Sequence, residues 1–453
     1  MLEARALNLT LDFCLRVGEI LLSSGAGAAD VTATMRSVSW QLGVRHPDID
    51  VTFTSLSMSF QSSPEEHALF QVRQVKQRDI DYEDLTQVDH LVRDVLSDRV
   101  DLMEARARLA RIVSSGHNTP RWAVTVGWGV MCAGVGLLLG GNATVIAIAF
   151  AAAVCIDRLQ MVMARRRVPF FYRQVAGGGI ATIFAVAAAA TRLNVDPSLV
   201  VTANIVMLLA GIGFMGALQD ALSGFYVTAG ARLTEALLAT AGIIAGVSGG
   251  LSLGSFFGVE IGHLDPGHTD WESVTMMAVG SAICAAAFAF ASYAPARAIP
   301  PIGLIAGVAI VIAQSIALQG FSRAWATAMA AFFIGLVSYA VAGRVRVPPL
   351  VVVVSAVVPM LPGLSIYRGL ALLGEGGNAT SDGLLAMATA ASVAIALSSG
   401  VILGEYVAQP LKREAEKVEQ RLSGPRLVGP LRMRTGRTAR RERRADEGVV
   451  VEQ

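Results

Sequence analysis

The spacing of apolar residues changes once along this chain, near residue 120. Before that point apolar and charged residues alternate, and no apolar run reaches the roughly 20 residues that a bilayer-spanning helix needs. From Trp122 onward, long apolar runs follow each other at regular intervals with short polar breaks between them. The pattern predicts a soluble domain over residues 1–118 and a polytopic α-helical membrane protein after it.

Residues 1–118 carry helical and strand patterns, which predicts a small α+β domain. Apolar residues recur at helical spacing between Leu9 and Leu21, and Asp30 is expected to cap a second helix that runs to Leu42. The first residues lack the basic and apolar segments of a signal peptide, so this domain is expected in the cytoplasm.

The strands of this domain are expected in its middle. Residues 50–60 alternate and are rich in β-branched side chains, which predicts one strand that pairs with residues 68–75 across a polar turn. Two further helices, near residues 83–96 and 101–114, complete the predicted domain.

The apolar runs after residue 118 predict about ten membrane-spanning helices. They lie near residues 122–140, 143–163, 172–190, 198–217, 233–254, 273–293, 302–319, 324–342, 349–368 and 384–404. A polar stretch at 257–271, expected outside the cell, separates five spans in residues 119–256 from five in residues 272–410. Because five is odd, the two halves enter the membrane from opposite sides. The sequence therefore predicts two five-helix inverted repeats, as in several transporter folds.

Basic residues favour one side of these spans. Arg165, Arg232, Arg297 and Arg344 follow or precede spans on the side of the amino-terminal domain, whereas the opposite loops carry few basic residues. An excess of Lys and Arg marks the cytoplasmic side of a membrane protein. Both termini are therefore expected in the cytoplasm of a bacterium, with the spans in its inner membrane.

Residues 411–453 form an arginine-rich tail with little apolar content, which is predicted to be disordered. Binding to anionic lipid headgroups, worth about 1 kcal/mol per basic residue near the surface, and a simple solvated tail both stay open. Only this tail is basic, and it lacks interleaved aromatic residues, which argues against a nucleic-acid partner.

Two predicted spans are interrupted at matching places, each in the fourth span of its half. The segment Leu209-Ala-Gly-Ile-Gly-Phe-Met-Gly-Ala-Leu218 is similar to Leu361-Pro-Gly-Leu-Ser-Ile-Tyr-Arg-Gly-Leu370. A broken helix leaves backbone groups without partners in hydrocarbon, which is tolerated only where they line a cavity or meet protein. Paired breaks of this kind indicate the substrate site of a transporter.

These breaks supply the candidate substrate-binding residues. A break presents the amino terminus of a half-helix, whose partial positive charge suits a substrate carboxylate. Close helix packing is the other explanation for the glycines, and a place in the interfacial aromatic belt is the other explanation for the tyrosine. The candidates are Asn204, whose amide suits a substrate hydroxyl, with Gly211, Gly213, Pro362, Gly363, Ser365 and Tyr367.

Five charged residues are candidates for proton coupling or gating. Asp157 and Arg158 lie in the second span, about 12 Å inside the arginine cluster that follows it if each residue rises 1.5 Å. Burial raises the pKa of a carboxyl group, which would suit proton coupling, unless the span ends early and leaves both charges at the interface. Asp220, Arg232 and Glu235 frame the loop between the fourth and fifth spans, as a gate or as a structural ion pair.

Neither a metal nor a cofactor is predicted. The four cysteines have no metal-site or CxxC spacing, and His263 and His268 in the polar loop are spaced for no tetrahedral site. The amino-terminal domain contains no nucleophile elbow or other catalytic signature, so an enzyme is not the first interpretation.

Five segments together resemble one known family. They are Leu21-Leu-Ser-Ser-Gly-Ala-Gly-Ala-Ala-Asp-Val31, Val51-Thr-Phe-Thr-Ser-Leu56, Ala217-Leu-Gln-Asp-Ala-Leu-Ser-Gly224, Ala231-Arg-Leu-Thr-Glu-Ala236 and Val358-Pro-Met-Leu-Pro-Gly-Leu-Ser-Ile-Tyr-Arg-Gly369. Over roughly residues 5–410 the chain resembles the threonine/serine exporter family, in the form that carries both halves in one polypeptide. Ala210 stands where the resemblance leads us to expect a proline, which predicts a milder first break.

The resemblance implies secondary export of threonine and serine from a bacterial cytoplasm, driven by the proton-motive force. A dicarboxylate exporter of the wider family stays open, although it should need more cationic groups near the breaks. A membrane-anchored enzyme or sensor that acts through residues 1–118 is the alternative of another class. A homo-oligomer is compatible with each of these.

Overall fold

The computed structural model of the chain describes residues 2–61, 65–75, 80–191, 195–208, 210–256, 271–375 and 379–422. The polar loop that holds His263 and His268 and the arginine-rich tail beyond residue 422 lie outside these residues. Residues 1–408 form one compact unit and residues 409–453 form a second.

Four helices and a three-stranded antiparallel sheet form the amino-terminal part. They are α1 (Leu2–Ser23), α2 (Ala28–Gln41), β1 (Asp48–Val51), β2 (Ser55–Phe60), β3 (Leu69–Gln74), α3 (Tyr82–Leu96) and α4 (Leu102–Ser115). The sheet has the order β1-β2-β3, with Val51 opposite Leu56 and Ser57 opposite Val72. Leu56 and Met58 of β2 are fully buried in one cluster with residues of α1 and α2, because alternate strand residues point to the same face.

The single strand expected over residues 50–60 is two strands, β1 and β2. The hydroxyl of Thr52 accepts a hydrogen bond from the N–H of Ser55, at 3.2 Å, and the N–H of Thr52 donates to the Ser55 carbonyl, at 2.9 Å. These bonds close a tight turn within the predicted strand, since threonine side chains compete locally for backbone partners.

Helix ends in this part follow side-chain caps, with one correction. Asp81 accepts hydrogen bonds from Glu83 and Asp84 N–H at the start of α3, and Asp101 caps α4. Both helices agree with the predicted ranges. The prediction for Asp30 is wrong: α2 begins at Ala28, with Asp30 inside its first turn. The acceptor at this helix end comes from a distant residue, described below.

Twelve further helices follow within the described residues. They are α5 (Arg121–Leu138), α6 (Ala143–Arg165), α7 (Phe170–Ala189), α8 (Pro197–Leu208), α9 (Ala210–Leu222), α10 (Tyr226–Phe256), α11 (Trp271–Ala291), α12 (Ile299–Leu318), α13 (Arg323–Val345), α14 (Pro349–Val357), α15 (Gly363–Glu375) and α16 (Ala379–Leu422). Within the described ranges, eight of them are long and apolar enough to cross a bilayer. The predicted spans 198–217 and 349–368 are each made of two shorter helices, α8 with α9 and α14 with α15. Helix α16 ends at Leu422, eleven residues after residue 411.

Glycines bring the same helix pairs close together in both halves. A Cβ atom at Gly246 of α10 would overlap the Val175 carbonyl oxygen of α7, and one at Gly178 would lie 2.7 Å from the Ile243 carbonyl oxygen. A Cβ at Gly335 of α13 would overlap the Val401 carbonyl oxygen of α16 in the same way. Small residues let membrane helices approach until their backbones touch. Helix α7 is therefore packed backbone to backbone on α10, and α13 is packed in the same way on α16.

Replacement of Gly246 by alanine should destabilise the protein by about 1–3 kcal/mol, because the added methyl group forces α7 and α10 apart. Gly249→Ala is the matched control on the same helix, since no atom lies within 4 Å of its added Cβ. Thermal unfolding in detergent checks this: the midpoint should fall for Gly246→Ala and stay level or rise for Gly249→Ala. An equal loss in both variants would contradict the packing explanation.

Candidate functional site

The first broken span bends where α8 ends and α9 begins. Helix α8 ends at Leu208 and α9 begins at Ala210, with an angle of 46° between the two. Gly211 and Gly213, predicted to lie in the break, belong to the first turn of α9 instead. A Cβ at Gly213 would make an ordinary contact of 3.5 Å with Ala236 on α10.

Asn204 lies one turn before this bend and is fully buried. Its Nδ2 donates to the Val200 carbonyl at 2.9 Å, within the same helix. Its Oδ1 has no hydrogen-bond partner in the part of the chain that the structure describes. Such a buried acceptor costs about 1–3 kcal/mol unless a ligand or water binds it.

The second broken span is interrupted where the sequence predicts. Helix α14 continues into a short 3₁₀ turn, Val358–Met360, and α15 begins at Gly363. Leu361 between them is extended, with φ −61° and ψ 138°, because the proline that follows excludes helical geometry there. The Pro362 carbonyl accepts the N–H of Ile366 at 3.0 Å, so Pro362 opens the new helix.

The remaining candidates of the second break lie on α15. Tyr367 is buried, with 6% of its surface exposed, and belongs to the main membrane cluster. This burial speaks against a place in the interfacial belt. Ser365 is half-buried, and Arg368 is exposed.

The two breaks meet in space. Helix α15 packs against α8, α9 and α10, which belong to the other half. Phe214 of α9 and Ile366 of α15 share one buried cluster with residues of α10 and α16. The structure thus brings together the two segments that the sequence singled out as similar.

Asp157 is buried but not isolated. Its carboxylate accepts hydrogen bonds from Arg121 Nη2 at 2.6 Å and from Thr125 Oγ1 at 2.7 Å. Arg121 and Thr125 are four residues apart on α5, so both face the same side of that helix. Arg158 is exposed. Arg121 and Thr125 were not among the predicted site residues, because their contact with Asp157 depends on the packing of α5 against α6.

Asp220 and Arg232 form a buried ion pair between α9 and α10. Arg232 Nε lies 3.2 Å from Asp220 Oδ2, and the two residues are 7% and 0% exposed. Asp220 Oδ1 also accepts the N–H of Ala28, at 2.8 Å, at the first residue of α2. Arg232 Nη2 donates to the Ala26 carbonyl at 2.8 Å. The pair therefore joins the start of α2 in the amino-terminal part to the end of α9 and the start of α10.

Two acidic residues lie near this ion pair. Asp30 is exposed, yet the surrounding protein partly dehydrates its carboxyl group and, with the charge of Asp220, raises its pKa. Glu405 of α16 lies close enough to Asp30 for their charges to interact.

Glu235, the third predicted gating residue, is half-buried one turn after Arg232. Among the described side chains, no group of three or more His, Cys, Asp or Glu residues is placed to hold a metal ion.

Comparison with known proteins matches both halves of the chain. Residues 12–254 match the family described as "Putative threonine/serine exporter", and residues 277–407 match the one described as "Threonine/Serine exporter, ThrE". A Mycobacterium tuberculosis (strain ATCC 25618 / H37Rv) protein named "Probable threonine/serine exporter" is 35% identical over 439 residues, which cover 95% of this chain and 82% of that protein. The Corynebacterium glutamicum "Threonine/serine exporter" is 32% identical over 412 residues, 89% of this chain and 83% of that protein. No solved structure shows a significant match.

These matches extend over most of the chain and include both broken spans. Together with the apolar helices, they identify a multi-pass membrane protein of a transport family. The chain belongs to the threonine/serine exporter family.

Proposed function

We propose that this chain exports threonine and serine from a bacterial cytoplasm by alternating access, driven by the proton-motive force. The observation that carries the proposal is the meeting of the two broken spans, where α15 packs against α8 and α9. The substrates are those in the names of the two relatives. Broken helices at a repeat interface are the usual place of a transporter's substrate site.

Each broken pair counts as one span in this proposal, which gives ten spans in two inverted halves. The close pairing of third and fifth helices in both halves supports the repeat. The excess of basic residues in the loops on one side supports a cytoplasmic α+β domain and cytoplasmic termini. Five spans in each half then place α9 and α14 on the cytoplasmic side of the breaks.

The groups at the breaks suit a small zwitterion with a hydroxyl group. The first N–H groups of α15 carry the partial positive charge that a carboxylate needs. The last carbonyl groups of α8 have no partner within their own helix and suit an ammonium group. Asn204 Oδ1 would accept the substrate hydroxyl, which would remove the cost of an unpartnered buried oxygen.

Asp157 is the proposed proton-coupling residue. A proton on its carboxylate would weaken the ion pair with Arg121, and such a change can bias the position of α6 against α5. Asp157→Asn should therefore reduce gradient-driven efflux at least tenfold and leave threonine/threonine exchange intact. The matched control is Arg158→Gln, which changes the exposed neighbouring charge. Normal gradient-driven efflux in Asp157→Asn would reject this role.

Efflux from loaded proteoliposomes tests the proposed function. Purified full-length protein should release threonine and serine when a proton gradient is imposed, and an uncoupler should stop the release. Empty liposomes and vesicles loaded with leucine are the controls. Release of succinate but not of threonine would favour the dicarboxylate exporter, and release of neither would favour the enzyme or sensor. The exposed side chains of Arg158 and Arg368 leave few cations for a dicarboxylate at the breaks.

A further inference from the structure

The amino-terminal domain contacts the first half next to α9. Besides the bonds of Asp220 and Arg232 to the Ala26–Ala28 segment, the hydroxyl of Thr228 donates to the Val51 carbonyl at 3.0 Å. The Arg232 guanidinium also lies 5.6 Å from the ring centroid of Phe53. All of these partners in the domain are at the start of α2, at the end of β1 or in the turn that follows β1. We call this contact the first foot of the domain.

The same domain contacts the second half through Tyr82, the first residue of α3. The side chain of Tyr82 is fully buried and meets Phe288 of α11 edge to face, with ring centroids 6.3 Å apart. Its N–H donates to the Ser292 carbonyl at 2.9 Å. Its hydroxyl lies beside that of Ser355 on α14, although the two fall outside hydrogen-bond geometry and neither has a partner within the described ranges. We call this contact the second foot.

Two histidines surround the second foot. The ring of His117 stacks on Tyr293 with centroids 3.8 Å apart, and His90 Nε2 lies 3.1 Å from the Arg346 carbonyl oxygen. Leu350 of α14 packs against both the domain core and the membrane core. The second foot is thus a continuous contact with the end of α11 and the start of α14.

Each foot therefore reaches one half-helix of a broken span on the side of the domain. The first foot holds the end of α9, after the first break, and the second holds α14, before the second break. One small domain connects these two half-helices across the boundary between the halves. Alternating access requires the halves to move relative to each other, and a rigid connection between them opposes that motion.

We propose that the amino-terminal domain is a clamp that keeps the substrate site closed toward the cytoplasm, and that both feet release together to admit substrate. This inference rests on the proposed function for its direction. Thr228, Asp220 and Tyr82 act as positioning residues, since each joins the domain to a membrane helix away from the breaks. Loss of one ordinary hydrogen bond in a foot should shift the closed-to-open equilibrium about fivefold.

Transport kinetics of Thr228→Val test the clamp. If the closed state dominates, only the open fraction binds cytoplasmic substrate, and the apparent KM is divided by that fraction. Thr228→Val should therefore lower the KM for threonine efflux about threefold to fivefold and also lower the maximal rate, because closure becomes harder. The control is Thr234→Val on the same helix, whose hydroxyl bonds only to the Gly230 carbonyl of its own helix. A lower maximal rate with unchanged KM would mean a merely structural contact and would overturn the clamp.

A second measurement tests the clamp without transport, through the rate at which a thiol under the second foot is labelled. Ser355→Cys in a Cys155→Ser background places a thiol under the second foot, and an impermeant maleimide is added to inside-out vesicles. Thr228→Val, at the other foot, should speed this labelling about fivefold, and Thr234→Val should not. Unchanged labelling would show that the feet open independently and would overturn the clamp. Labelling that responds while no threonine or serine moves would retain the clamp and overturn the proposed substrate.

Discussion

Replacement of Asn204 by leucine should abolish threonine and serine export while the protein stays as stable as before, or becomes more stable. The Oδ1 atom of Asn204 is buried beside the first bend without a partner among the described residues. Its removal takes away an unsatisfied polar group, which favours the folded state by about 1–3 kcal/mol, against the loss of one bond to Val200. Substrate binding in Asn204→Leu should lose far more free energy than folding, because the substrate hydroxyl would then be buried without an acceptor.

Asn204→Leu should therefore lose efflux without losing thermal stability. We expect export to fall at least a hundredfold while the unfolding midpoint holds or rises. Thr182→Val is the matched control, since this buried hydroxyl already donates to the Gly178 carbonyl in its own helix. A fall in both export and stability would make Asn204 a structural residue, and unchanged export would remove it from the site.

Removal of the proline in the second break should reduce export at least tenfold without loss of expression. Pro362 has no N–H and keeps Leu361 extended, which separates the end of α14 from the start of α15. Pro362→Ala frees Leu361 to become helical, so that α15 can extend back toward the 3₁₀ turn that contains Pro359, and the half-helix amino terminus proposed for the substrate carboxylate is then displaced.

The control for this test is a proline that lies at the start of a helix and not in a break. Pro349→Ala is the control, because Pro349 is the first residue of α14, where a proline breaks no helical hydrogen bond. Efflux measured in cells with equal amounts of each variant should fall only for Pro362→Ala. Unchanged efflux in Pro362→Ala would place the substrate elsewhere.

The sequence predicted features that depend on neighbours in the chain. Long apolar runs determine the spans, and the missing N–H of Pro362 determines the second break, so both could be located from local chemistry. The first break, which carries no proline, could be located only to the glycine-containing segment that begins at residue 209, and the two straight helices on either side of it end at Leu208 and begin at Ile212. The prediction of a single strand over residues 50–60 was wrong for a similar reason. The turn that divides it is closed by Thr52, and a threonine does not mark a turn in the sequence.

Features that depend on distant partners could not be predicted. Asp30 was a reasonable local cap for α2, yet the acceptor at Ala28 is Asp220, 192 residues later in the chain. The ion pair of Asp157 with Arg121 likewise needs α5 and α6 to be packed first. Tyr82 gave no signal in the sequence, because an aromatic residue at the start of an amphipathic helix is expected in the core of its own domain.

The backbone packing of α7 on α10 and of α13 on α16 limits how this transporter can rearrange. No side chain lies between the paired helices at Gly246 or at Gly335, so the main chains of each pair are in direct contact. We expect each pair to move as one body, which leaves a conformational cycle few independent movements. The broken spans, whose helices are interrupted, are then the hinges about which these bodies turn.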